Sequence, residues 1–280
     1  MHAFKALICT ATMIATTATL GAAEITLQNG LDGYNGMTDS WLTGGNATWE
    51  NTTYGTSGGA YGNILGGAGG AARRVVQQWD LSSLKGKVAK INSARIYTMA
   101  TGGNQTNINI YKIASTNASW TDAQTGTDYT GWDRTEVCWR ARKAGDGDSH
   151  WLNEAGEVQY GIISDSSKLI GQNTAIAGTI ASNVNIFFDI DVDTIKEWID
   201  SPELNAGMVY NTDNEFTSGK FFVIGSQIFG SPGTPPVEDD GYGNTIAYYP
   251  RLVIDYTEVP EPASLALIGL GGLAFLSRRK

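Results

Sequence analysis

An all-β fold, a jelly-roll-like β-sandwich with one short helix, is what the sequence predicts for the body of this 280-residue chain. Three observations point to it. Short runs of β-branched and aromatic residues recur along the chain; Gly, Asn, Thr and Ser crowd the spaces between them, with 35 Gly in all; and only one segment carries apolar residues at clear helical spacing.

The chain begins with Lys5, an apolar run from Ala6 to Leu20, and the small residues Gly21, Ala22 and Ala23. A positive start, a short apolar middle and small residues before a cut make a secretory signal, too short for an ordinary spanning helix. Cleavage is expected after Ala23, which assigns residues 1–23 to a signal peptide.

Residues 24–258 are expected to form one domain, since no linker invites a division. Its clearest strands are Arg74 to Leu81, Ile91 to Met99, Asn107 to Ile113, Thr135 to Arg142, Val184 to Ile190, Lys220 to Ser226 and Arg251 to Tyr256. In the fifth, Val184, Ile186, Phe188 and Ile190 alternate with Asn185, Phe187 and Asp189, as a strand with one buried face requires. The helix is expected over about Asp193 to Asp200, capped by Asp191 or Asp193, with Val192, Ile195, Trp198 and Ile199 on one side and Ser201-Pro202 ending it. Gly44 to Gly70 reads as loops and irregular short strands. So does Gly230 to Asn244, where Pro232, Pro235, Pro236 and Glu238-Asp239-Asp240 exclude a central strand.

The tail, residues 259–280, has three parts: Pro260-Glu261-Pro262, the apolar run Leu265 to Leu276, and Arg278-Arg279-Lys280. The prolines keep the backbone extended ahead of the apolar run, and the basic end acts as a stop-transfer signal. This tripartite end resembles the PEP-CTERM sorting signal. The resemblance implies an exosortase-type sorting enzyme as partner, transient insertion of the apolar segment in the inner membrane as a transmembrane helix, and delivery to the cell envelope, cell surface or extracellular matrix.

Several segments of the domain, taken in order, resemble a DNRLRE-type domain, a β-sandwich family grouped with carbohydrate-binding modules. Asn51-Thr52-Thr53-Tyr54-Gly55 is similar to an early turn of that family, and Arg74-Val75-Val76-Gln77-Gln78-Trp79-Asp80-Leu81 to its hallmark strand, with Gln78 and Trp79 in place of Arg and Phe. Ala94-Arg95-Ile96-Tyr97, Trp120-Thr121-Asp122, Val137-Cys138-Trp139, Phe188-Asp189-Ile190 with Trp198, and Pro250 to Tyr256 are similar to later elements. The resemblance implies the sandwich fold, an affinity for extracellular polysaccharide, and core positions for Trp79, Trp120, Trp139 and Trp198.

Nineteen basic residues stand against 28 acidic ones, and four of the basic ones lie in the two end segments. An acidic exported domain disfavours nucleic acid as a partner and favours solubility. Cys9 falls in the signal, which leaves Cys138 without an intrachain disulfide partner, and His150 is the one His of the domain, so a zinc site of the usual kind is not expected. No cofactor is expected. Calcium is the one metal the sequence leaves open, at the oxygen-rich loops Asp146-Gly147-Asp148 with Glu157, Asp239-Asp240 and Asn29 to Gly36, although the first lacks the Gly that an EF-hand turn needs. No nucleophile motif or phosphate loop is present, and no pair of carboxylates stands out for glycoside hydrolysis.

The remaining aromatics in Gly-rich or polar loops, Trp41, Trp49, Tyr54, Tyr61, Trp132 and Trp151, are candidates to stack on sugars, with Trp41, Trp49 and Trp132 foremost. A second candidate is the strand Thr135 to Arg142. Alternation there puts Val137, Trp139 and Ala141 on one face, which the resemblance assigns to the core, and Arg140 and Arg142 on the other, where they could grip acidic sugars or simply pair with nearby acids such as Glu136. The expected function is that of an exported, non-catalytic surface or matrix protein that binds, or is embedded in, extracellular polysaccharide. A structural or adhesive surface protein without glycan affinity is the alternative, and a polysaccharide-degrading enzyme a third.

Overall fold

A computed structural model describes residues 21–45, 50, 63–67, 71–103, 107–118, 120, 137–139, 141–142, 149–159, 168–173, 184–213, 215–216, 220–224, 237–239, 245–247 and 250–260. Within these, the strands of the first half are β1 (Ala22–Leu27), β2 (Met37–Thr43), β3 (Asn63–Gly67), β4 (Arg73–Trp79), β5 (Val88–Gly103), β6 (Ile108–Lys112), β7 (Trp151–Leu152) and β8 (Val158–Gln159). Then come β9 (Leu169–Asn173), β10 (Val184–Asp189), helix α1 (Val192–Asp200), β11 (Met208–Thr212), β12 (Lys220–Ile224), β13 (Val237–Asp239), β14 (Thr245–Ala247) and β15 (Arg251–Glu258).

Two antiparallel sheets face each other. The first runs β1-β15-β5-β12-β3, with β10 also paired to β5; the second runs β2-β4-β11-β6-β9. Successive strands alternate between the sheets from β1 to β6 and again from β9 to β12, so the expected jelly-roll-like sandwich is what forms. Residue Tyr97 of β5 pairs with both Phe187 and Arg251, and Ala100 with both Val184 and Ile224. Strand β10 therefore lies along one edge of β5, while β15 and then β12 share the other.

Alternation decides what each sheet buries. On β10, Ile186 and Phe188 enter the core while Phe187 and Asp189 stay exposed; on β15, Leu252, Ile254 and Tyr256 are buried. They meet Val75, Trp79, Ile108, Ile110 and Tyr210 of the second sheet in one apolar cluster. Each such side chain contributes ~1.5–3 kcal/mol on leaving water.

The second sheet is buried on its outer face as well. Leu42, Val76 and Val209 point away from the main cluster and pack against Trp120, Val137 and Trp151, supplied by the connection between β6 and β9. With both faces covered, β2 and β11 show no alternation, and all five residues of β11 are buried.

Here the structure corrects the reading of Thr135 to Arg142. Its described residues form no strand: Cys138 and Ala141 exchange backbone hydrogen bonds of 2.8 and 3.3 Å across a tight turn, and Ala141 bridges to His150. Val137 and Cys138 are both buried, so the apolar run reflects burial on two sides rather than a pleat. The helix starts one residue earlier than expected, at Val192. Asp191 is its cap, its side chain accepting from the Thr194 amide at 2.9 Å and the Thr194 hydroxyl at 2.7 Å. Asp191→Ala should cost about 1 kcal/mol. In a thermal melt this reads as a drop of about 2–4 °C for a domain of this size.

Candidate functional site

Of the sites expected from sequence, Trp41, Trp151 and Arg142 fall among the described residues, and none stands open. Trp41 is not a loop aromatic: it lies in β2, 6 % exposed, within the main core, with the Arg73 guanidinium 5.5 Å from its ring centre. Polar Asp39 and Ser40 beside it are buried too, which hid the strand. Trp151, expected in a polar loop, is buried in β7 and donates its indole N–H to the Cys138 carbonyl at 3.0 Å. Arg142 does not stand on an open strand face; it is half-buried, and its Nη1 donates to the Thr116 carbonyl at 2.9 Å. Trp49, Trp132 and Arg140 lie outside the described residues, as do Tyr54, Tyr61, Glu261, Pro262, Arg278 and Arg279.

Of the oxygen-rich loops, the first part of Asn29 to Gly36 is spent on structure. The Asn29 amide donates to the Met37 carbonyl at 2.7 Å and accepts from the Met37 amide at 2.9 Å, fixing the turn into β2. Among the described residues no group of three or more His, Cys, Asp or Glu is placed to hold a metal ion. Residues 146–148 and Asp240 lie outside them.

What the fold does assemble is a row across the outer face of the first sheet. Phe187, Tyr97 and Arg251 pair directly across β10, β5 and β15. The Tyr97 and Phe187 rings are 6.1 Å apart and tilted by 45°, and the Arg251 guanidinium lies 4.7 Å from the centre of the Tyr97 ring. One row on, Arg95 pairs across to Asp189, with Nη2 2.6 Å from Oδ1, and its guanidinium lies 4.4 Å from the Phe187 ring. Hydrogen bonding with Tyr97 first, and then with Asp189, holds the Arg95 guanidinium in its charged form even above its ordinary value.

The two arginines differ. Arg95 shares its charge with Asp189, whereas Arg251 has no hydrogen-bond or ion-pair partner among the described residues, and its Nε is buried without one. Its guanidinium lies over the Tyr97 ring, which leaves its N–H edges directed away from the ring. Phe187 is 46 % exposed, which makes it a large apolar side chain standing on a solvated sheet face.

Sequence reading missed this site, although a signal was present. The alternation over Val184 to Ile190 places Phe187 with Asn185 and Asp189 on the polar side, and a Phe on that side calls for a reason. Which strands lie beside it could not be read, because β10, β5 and β15 are far apart in the chain.

At the other end of β15 the sheet gives way to the tail. Residues 258–280 match the PEP-CTERM protein-sorting motif. No curated protein matches the chain. The likeness of the sandwich to DNRLRE-type domains is not supported by any family match. Fold and tail together define an exported β-sandwich protein that carries a PEP-CTERM sorting signal. The motif implies recognition by an exosortase and marks the chain for the cell envelope or surface. Among the described residues no helix is long and apolar enough to cross a membrane, and the run Leu265 to Leu276 lies outside them.

Proposed function

We propose that the sandwich binds extracellular polysaccharide through the outer face of its first sheet, and that acidic sugars are its ligands. The observation that carries this reading is Arg251, a guanidinium over the Tyr97 ring with no ion-pair partner among the described residues, in a chain with nine excess negative charges. A guanidinium held in one orientation can meet a carboxylate or sulfate with two parallel hydrogen bonds at little further entropic cost. The exposed part of Phe187 and the edge of Tyr97 then offer apolar surface to the C–H faces of a sugar ring. In this role the domain is a binding module and performs no catalysis, and the sorting tail delivers it to where such polymers lie.

The test is binding of a polyuronate and of an uncharged glucan to the purified domain. The polyuronate should bind and the glucan should not. Binding should weaken steeply as salt rises, since exposed charges are screened over about 8 Å at 0.15 M. Arg251→Ala, and separately Phe187→Ala with Tyr97→Ala, should each weaken binding by about tenfold or more, as loss of a central anchor does. Their melting temperatures should stay near the parent's. Equal affinity in all three proteins removes this face from the reading, and no binding by the parent leaves a structural or adhesive surface role in its place.

A further inference from the structure

The sorting motif begins inside the sheet. Its first residue, Glu258, is the last of β15, and its backbone N–H donates to the Gly21 carbonyl at 3.1 Å on the β1 side. The next amide, Val259, donates the opposite way, to the Lys87 carbonyl at 2.8 Å. No linker separates fold from motif, and the chain leaves the sheet only at Pro260.

Strand β1 covers the outer edge of this segment with residues that the signal cut removes. The register is Ala22 to Thr257, Ala23 to Tyr256 and Glu24 to Asp255. A cut after Ala23 leaves a mature chain starting at Glu24. Asp255 then keeps its neighbour, and Tyr256, Thr257 and Glu258 lose theirs. The far edge of the same segment stays paired to β5, through Lys90 and Val88. Signal removal therefore uncovers a short backbone edge, three residues long, that is continuous with the sorting motif.

An unpaired strand edge is a template for an incoming extended segment. Recognition by added strands gives affinity through main-chain hydrogen bonds, while side-chain pockets give specificity. We propose that the uncovered edge at Tyr256 to Glu258 is a docking strand for the sorting enzyme, which pairs with it while its specificity pockets read Pro260-Glu261-Pro262. The inference goes beyond polysaccharide binding, since it concerns the opposite end of β15 and a different partner. It rests on the cut after Ala23.

Two full-length chains test it in a bacterium that makes the sorting enzyme. In both, a foreign cleavable signal replaces residues 1–20, so that the mature protein starts at Gly21. One carries Ala23→Val, which keeps the strand and blocks the original cut, because a small residue is needed there. The other carries Ala23→Pro, whose missing N–H and fixed φ unpair the same strand end. The Val chain should have its tail processed about fivefold or more slowly than the parent, the weight of a backbone hydrogen bond or two, and the Pro chain should return to the parent's rate. Mass spectrometry of the parent and both variants fixes where each mature chain starts. Equal processing in Val and Pro chains overturns the proposal. So does a parent whose mature N-terminus lies at or before Gly21, because the edge would then be covered in the natural protein. Failure of polyuronate binding leaves both outcomes untouched.

Discussion

Gly207→Ala is expected to destabilise the domain by about 3 kcal/mol or more, from left-handed backbone strain of about 1–2 kcal/mol and overpacking of a similar size. The residue has φ +78°, and a Cβ there would collide with the Gln77 carbonyl oxygen and come within 3.0 Å of the Gln78 Cβ. The obstacle is the backbone of β4, held between β2 and β11 in the second sheet, so nothing flexible can move aside. Gly207 is also tied on both sides: its amide donates to Asn205 Oδ1 at 3.0 Å and its carbonyl accepts from the Ile113 amide at 3.0 Å. Asn205 in turn donates from Nδ2 to the Trp79 carbonyl at 2.8 Å. Shifting Gly207 would break the joint between helix, second sheet and both apolar clusters. Thermal melts and urea titration should show the loss as a fall in melting temperature of about 10 °C. A change under about 1 kcal/mol would mean that β4 yields more easily than a central strand should.

Most of the parts legible in the sequence were those with one buried face, β4 with its run of Val and Trp being an exception. The strands around Ile96, Phe188 and Ile254, and the helix with its Asp191 cap, announce themselves because period 2 or 3.6 separates wet from dry residues. β2 and β11 did not, because the cluster around Trp151 covers their second face, and their two faces together bury Asp39, Ser40, Asn211 and Thr212 along with the apolar residues. The same cover turned Val137 and Cys138 into a false strand. Aromatics set among polar residues read as exposed loop residues open to a ligand. Trp41 and Trp151 show why that fails: buried polar neighbours such as Asp39, Ser40 and Ser149 look the same in sequence as solvated ones. The row formed by Phe187, Tyr97 and Arg251 depends on which distant strands lie side by side, and no local pattern encodes that.

The second large effect is expected at Arg74 and Glu215, on the outer face of the second sheet. The side chains are 11 % and 9 % exposed, and they form a fork in which Nε donates to Oε2 at 2.9 Å and Nη2 to Oε1 at 2.5 Å. The guanidinium lies 4.8 Å from the centre of the Trp139 ring, and Trp139 itself presses on Gly44, where any Cβ would collide with the indole. Glu215→Ala removes the carboxylate from a cation that water cannot easily reach, and should cost about 3–5 kcal/mol. Replacing both charges, Arg74→Met with Glu215→Leu, removes the desolvation cost along with the attraction and should stay within about 1 kcal/mol of the parent. Urea titrations of Arg74→Met, Glu215→Leu and the double variant give the coupling directly. The double variant is expected to lose far less stability than the two single losses add up to. If Glu215→Ala alone costs under about 1 kcal/mol, water reaches the pair and the cluster around Trp139 is open rather than closed. The double variant should also bind polyuronate as the parent does, because Arg251 and Tyr97 lie on the outer face of the other sheet; loss of binding there would instead place the ligand over Trp139.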